Sequence, residues 1–296
     1  MDIETTEIPV VNPASGALTP GGCGALDYDA TDYRSEVKPV WCPGCGDYSV
    51  LSALTAALAD MNLVPENVAL ISGIGCSSRI PAYANVYGFH GVHGRALPIA
   101  TGLKLARPEL TVLVASGDGD GLSIGGNHFL HACRRNVDMT CIIMDNQVYG
   151  MTKGQASPTT DPDWVGGRLT PEGTGVNAFD PLYMAMAGGA TFLARCFSGD
   201  PVQLAETLVE AINHHGFSVI HILSPCVTFR PEQREWKNFV RRQSREPTAV
   251  RLAAGLRLID EDKFNIGIIY KDNREVFQLP QAGQMDPKLL DEEFVV

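Results

Sequence analysis

The sequence predicts an α/β fold, a parallel sheet with helices on both faces, spanning residues 39–230. Three observations carry this. Short apolar runs recur at Val68–Ile71, Thr111–Ser116, Met139–Met144 and Ser218–Leu223. They lack the polar alternation of a half-exposed strand, as strands covered on both faces must. Helical patterns stand between such runs or before them: Val50, Leu51, Leu54, Ala57, Leu58 and Met61 recur at three-to-four spacing, and Val202, Leu204, Ala205, Leu208, Val209 and Ile212 do so after Asp200. Finally, glycine-rich turns close several strands, and in open α/β sheets ligands bind at those carboxyl ends. Residues 1–38, with Pro20-Gly21-Gly22 and little periodicity, read as an extended N-terminal arm. Residues 231–296 read as a C-terminal helix and a tail, with Pro280 and Pro287, that wraps a partner.

Composition narrows the classes. A chain of 296 residues can bury one large core with appendages or two small domains. Its net charge of −11 argues against nucleic acid and against anionic membranes as partners. No apolar span is long enough for a membrane helix. The acidic start Met1–Glu7 lacks the basic and apolar parts of a signal peptide, so a cytoplasmic location is expected. Eight cysteines in such a chain point to metal or redox chemistry rather than disulfides.

The most specific signal is Gly117-Asp118-Gly119-Asp120-Gly121 at the end of one strand, answered by Asn146 at the end of the next. Adjacent strand ends would bring Asp118 and Asn146 to one point. Hard oxygen donors beside a glycine turn suit Mg²⁺ holding a diphosphate. An ordinary βαβ turn is the alternative, and the matched pair of elements weighs against it.

The cysteines divide by context. Cys133, Cys141 and Cys196 fall in apolar patterns and read as core. Cys42 and Cys45 instead share a tight turn, Cys42-Pro43-Gly44-Cys45-Gly46, before a helix whose positive end would favour thiolates. Cys76 follows a strand in Gly73-Ile74-Gly75-Cys76-Ser77, and Cys226 follows another in Ser224-Pro225-Cys226. Strand-end placement favours Cys226 over Cys23 as the fourth ligand. Four thiolates with one close pair fit either Zn²⁺ or a 4Fe-4S cluster, and spacing alone leaves both open.

Gly117-Asp118-Gly119 followed by Asn146 resembles the thiamine diphosphate motif. With the two cysteine motifs and Lys153-Gly154-Gln155-Ala156-Ser157-Pro158-Thr159, the chain resembles the β subunit of 2-oxoacid:ferredoxin oxidoreductases from about Pro39 to Arg230. The 2-oxoglutarate type is the nearer match. The resemblance implies the thiamine diphosphate-binding fold, with Asp118, Asn146 and the Val148 carbonyl as Mg²⁺ ligands. It implies one 4Fe-4S cluster on Cys42, Cys45, Cys76 and Cys226. Ile74, Gly75, Cys76, Ser77, His93, Gly119, Asp120, Gly150 and Met151 would line the cofactor. The implied reaction is oxidative decarboxylation of a 2-oxoacid with coenzyme A, yielding acyl-CoA and CO₂. Electrons would leave through the cluster to ferredoxin, and the reverse reaction would fix CO₂.

Arg79, three residues after Cys76, could pair bidentately with a substrate carboxylate, unless it is a surface Arg in a salt bridge. The resemblance makes it substrate-selecting, with Met151 as a second pocket wall, which favours the dicarboxylate 2-oxoglutarate over pyruvate. His90 and His93 read on pattern alone as structural; the resemblance places His93 near the cofactor. The carboxylate that activates thiamine has no candidate here, and in the family it comes from the α subunit. An αβ assembly, paired into a dimer of heterodimers, is therefore expected. The basic stretch Arg234, Lys237, Arg241, Arg242 and Arg245 reads as a solvated helix face, or as a dock for acidic ferredoxin or coenzyme A phosphates. Two rivals stand: a non-redox thiamine decarboxylase with structural zinc, and a noncatalytic iron–sulfur scaffold.

Overall fold

The computed structural model describes residues 27–167, 169–243, 246–258 and 264–278. One eight-stranded sheet organises them. Its strands are β1 (Val68–Ser72), β2 (Tyr87–His90), β3 (Thr111–Gly117), β4 (Met139–Asp145), β5 (Phe192–Phe197), β6 (Phe217–Leu223), β7 (Val240–Arg242) and β8 (Phe264–Lys271). The spatial order is β2-β1-β3-β4-β6-β5-β8-β7. Strands β1 to β6 run parallel, and β8 joins β5 antiparallel.

Both faces are covered, which is why the central strands are buried almost throughout and mostly apolar. Helices α1 (Asp47–Asp60), α2 (Ile80–Tyr83) and α6 (Pro201–Ile212) cover one face, packing Leu54, Ile80 and Leu208 against Leu70, Leu113 and Ile220. Helices α3 (Ala96–Ala106), α4 (Gly126–Arg135), α5 (Pro181–Gly188) and α8 (Arg251–Leu258) cover the other, where Leu97, Phe129, Leu182 and Leu258 join Val114, Ile143 and Val219. Cys133, Cys141 and Cys196 are buried core residues, as their context predicted. Asp200 caps α6 through Gln203 N–H, and Asp180 caps α5 through the N–H groups of Leu182 and Tyr183.

Helices on opposite faces follow β1 and β3, so the direction of winding reverses between these neighbouring strands. A crevice opens at such a switch, outside the carboxyl ends. The turns predicted to bind ligand lie there.

Two flanking expectations change. Residues 231–296 were expected to form a helix and a wrapping tail. Over the described residues they instead give α7 (Trp236–Phe239), β7, α8 and β8, extending the same sheet. The reason is burial: β8 covers the edge that β5 would otherwise expose and inserts Ile266, Ile269 and Tyr270. The basic stretch is accordingly a short helix followed by a strand, with Arg234, Lys237, Arg241 and Arg242 exposed and Arg242 paired with Asp200. In the arm, Tyr33 is fully buried and its hydroxyl donates to the Leu63 carbonyl. Residues 27–38 therefore belong with the α/β body. The rest of the arm with Cys23, Arg245, and the tail with Pro280, Pro287 and Phe294–Val296 lie outside the described residues.

Candidate active site

A cavity of about 510 Å³ occupies the crevice, a size suited to a cofactor. Its wall holds Ile74, Gly75, Cys76 and Ser77 after β1, His93 after β2, Asp118, Gly119 and Asp120 after β3, and Asn146, Val148, Gly150 and Met151 after β4. Twelve positions scattered over the sequence thus share one space. Arg79 is not among the lining residues; it sits exposed in the turn Ser77–Arg79, beside Cys76.

The strand-end turns are held by side chains. Asp120 is almost fully buried, and its Oδ1 accepts from Ile74 N–H (3.0 Å) and Gly94 N–H (2.7 Å). Its Oδ2 accepts from Ser116 Oγ (2.7 Å). It ties three loops together, and a Cβ on Gly73 would fall 2.1 Å from its Oδ2. His93 Nδ1 lies 2.9 Å from Asp120 Oδ1 but off the line of a hydrogen bond. Gly119 faces the Tyr149 ring, whose hydroxyl donates to the Gly119 carbonyl (3.2 Å). Asn146 Oδ1 accepts from Val148 N–H (3.1 Å), shaping the turn that presents both.

Asp118 is buried. Its Oδ2 lies 2.8 Å from Thr159 Oγ1, which is also 2.7 Å from Asp145 Oδ1. One hydroxyl proton cannot serve two carboxylates. Burial, then the Asp145 charge, pushes the Asp118 carboxyl up to about 7. A divalent cation would relieve this concentration of negative charge, so the donor set fits Mg²⁺.

The four cysteines gather near Gly150, where a Cβ would lie 3.7 Å from both Cys76 Sγ and Cys226 Sγ. Cys42 and Cys45 share the turn that leads into α1, joined by Cys45 N–H to the Cys42 carbonyl (3.0 Å). Trp41 Nε1 donates to the Cys76 carbonyl (2.7 Å), and Gln233 accepts from Cys226 N–H (2.9 Å). Burial, reinforced by buried Asp47, pushes the Cys45 thiol well above its ordinary value and Cys76 to about 11; burial also raises Cys226. The thiols also raise one another. Four such groups ionise together only around strong positive charge, which fits a metal cluster. Among the described residues, no three His, Cys, Asp or Glu side chains converge as closely as a single metal ion requires.

Comparisons with known proteins place the chain in a family. Residues 73–222 match the family described as thiamine pyrophosphate enzyme, C-terminal TPP binding domain. A 2-oxoacid:ferredoxin oxidoreductase subunit beta of Saccharolobus solfataricus is 37% identical over 85% of this chain and 88% of its own length. The chain belongs to the β-subunit family of 2-oxoacid:ferredoxin oxidoreductases. Within that family, the 2-oxoglutarate oxidoreductase subunit KorB of Mycobacterium tuberculosis is 48% identical over 67% of this chain and 53% of its own. The 2-oxoglutarate synthase subunit KorB of Methanocaldococcus jannaschii is 44% identical over 69% and 74%. The chain thus spans only about half the length of the mycobacterial relative. A solved 2-oxoglutarate:ferredoxin oxidoreductase from Magnetococcus marinus, with 2-oxoglutarate, coenzyme A and succinyl-CoA bound, superposes with a TM-score of 0.86 at 37% identity, covering 91% of this chain and 97% of that one.

Sequence reasoning missed Tyr149, Asp145, His221 and Arg195, and quoted Thr159 without giving it a role. A signal existed for two of them: Arg195 and His221 interrupt otherwise apolar strands. No described helix is long and apolar enough to cross a membrane.

Proposed function

We propose that this chain is the β subunit of a CoA-acylating 2-oxoglutarate:ferredoxin oxidoreductase, cytoplasmic and complete only with an α subunit. The observation that carries the reading is Gly150. It lines the cavity with Asp118, Asn146 and Val148, and a Cβ there would lie 3.7 Å from two of the four thiols.

Asp118 and Asn146, with the Val148 carbonyl, would hold Mg²⁺ against the diphosphate of thiamine diphosphate. Cys42, Cys45, Cys76 and Cys226 would hold a 4Fe-4S cluster. The bound groups supply an electron sink for decarboxylation and a one-electron acceptor beside it. The chain's own work is positioning. Asp120 locks the β1, β2 and β3 loops so that Ile74, Gly75 and His93 face the cofactor. Gly119 leaves room for Tyr149, whose ring closes the wall. Arg79, exposed beside Cys76, would reach the distal carboxylate of 2-oxoglutarate once a partner subunit completes the pocket, with Met151 on the opposite wall.

The test is anaerobic co-purification with the α subunit, iron, sulfide and zinc analysis, and CoA-dependent ferredoxin reduction with 2-oxoglutarate or pyruvate. The expected result is iron and sulfide, with faster reduction on 2-oxoglutarate. Preferential turnover of pyruvate would overturn the substrate assignment. Zinc without iron, and no ferredoxin reduction, would overturn the redox reading.

A further inference from the structure

We infer that Thr159, Asp145, His221 and Arg195 form a buried positioning chain that aims Asp118 at its metal and sets how tightly the site holds it. The inference rests on Asp118 being a metal ligand.

Three adjacent strands supply the row. His221 on β6 is in register with Ile143 on β4 and with Arg195 on β5, and Asp145 stands two residues beyond Ile143 on the same face. Most of that face is apolar, built from Val114, Cys141, Ile143, Leu193 and Val219. Asp145, His221 and Arg195 are each at least 95% buried. Ionic groups in such a place cost several kcal/mol each unless closely paired. Packing alone would favour apolar residues here.

Its bonds have a fixed direction. Arginine has only donors, so Arg195 Nε donates to His221 Nδ1 (3.4 Å). The ring proton then sits on Nε2, which donates to Asp145 Oδ2 (2.9 Å). Asp145 Oδ1 accepts from Gln147 N–H (2.9 Å) and lies 2.7 Å from Thr159 Oγ1. The same hydroxyl is 2.8 Å from Asp118 Oδ2. At the other end Arg195 donates to Asp180 Oδ2 (2.9 Å), whose Oδ1 caps α5. One chain of contacts therefore runs from the start of a helix to Asp118. Through Gln147 it also holds the turn that presents Asn146 and Val148, so both strand-end ligands hang from Asp145.

None of the four residues lines the cavity. They act through Asp118 and are positioning residues. Partners of metal ligands typically contribute about tenfold to hundredfold in metal affinity.

The experiment uses the complex with its partner subunit and Mn²⁺ as the probe, titrated at saturating thiamine diphosphate while the signal of free aqueous Mn²⁺ is followed by electron paramagnetic resonance. His221→Leu removes the donor to Asp145, whereas His221→Gln can keep an N–H near the Nε2 position. Thr159→Val keeps shape and removes the hydroxyl, which gives an independent variant if His221→Leu fails to fold. Asp118→Ala reports on the ligand itself. We expect Thr159→Val and His221→Leu to weaken Mn²⁺ binding about tenfold or more, and His221→Gln to restore most of it. Unchanged Mn²⁺ affinity in Thr159→Val and His221→Leu would overturn the chain, even with a lowered melting temperature, because a merely structural row would do that. Unchanged affinity in Asp118→Ala would instead overturn Asp118 as a ligand, and the inference with it.

Discussion

Gly119→Ala separates steric demand from backbone demand at the cofactor wall. Gly119 has φ −66° and ψ −35°, a conformation that alanine adopts freely. On backbone grounds alone the change should stabilise by about 0.4–1 kcal/mol. The added Cβ, however, would stand 2.2 Å from Tyr149 Cε1 and 2.7 Å from Cζ. Removing that overlap moves the ring at least about 1 Å toward the cavity and strains the hydroxyl contact to the Gly119 carbonyl. Overpacking of this kind costs about 1–3 kcal/mol and the weakened hydrogen bond about 1 kcal/mol, so the clash wins. Because the displaced ring takes cofactor space, the loss should appear as about tenfold to hundredfold weaker thiamine diphosphate binding. Calorimetry on the anaerobic complex in excess Mg²⁺ would measure it for Gly119→Ala, Tyr149→Ala and the double variant. The steric account requires a coupling of about 1–3 kcal/mol, with Gly119→Ala nearly harmless once the ring is gone. An undiminished penalty in the Tyr149→Ala background would refute it.

Three other outcomes follow from the geometry. Asp118 is protonated more readily in the fold than in the unfolded chain, so its contribution is full below about pH 4 and is lost as pH rises through about 7. In the metal-stripped complex, melting temperature should fall between about pH 4 and 8, and Asp118→Asn should flatten that fall by up to about 4 kcal/mol in stability while abolishing Mg²⁺ binding; parallel pH profiles would contradict this. Cys226→Ser should lose iron and labile sulfide yet retain thiamine diphosphate binding, and a full iron complement would remove Cys226 from the ligand set. Tyr33→Ala empties a fully buried site remote from the cavity, so unfolding free energy should drop about 3–5 kcal/mol with cofactor affinity unchanged; a large affinity loss would show that the arm serves the site directly.

Much of the site was legible in linear order because its backbone roles demand particular residues. Gly73 must admit the Asp120 carboxylate, Gly119 must admit the Tyr149 ring, and both stand where apolar strands stop. Central strands covered on both faces cannot hide their apolar character, which made β1, β3, β4 and β6 readable. Strand β2, at the edge with every residue exposed, carries no such mark. Strand β8 was missed because its fit depends on the open edge of β5, a property of another segment.

Residue types and turn chemistry alone pointed to an oxygen-donor pair at two strand ends and to cysteines in three turns. Only the tertiary structure decided which groups act together. Strand β6 inserts between β4 and β5, and that insertion sets His221 between Asp145 and Arg195. No local propensity encodes this order, because it follows from the packing of helices on both faces. Thr159 likewise stands in a loop whose sequence names no partner. Its hydroxyl reaches Asp118 and Asp145 only because that loop folds back over two adjacent strand ends. The state of the thiols was also a tertiary matter: burial, then the Asp47 charge, raises the Cys45 thiol. Desolvation depends on everything packed around a group, and a linear sequence does not state that.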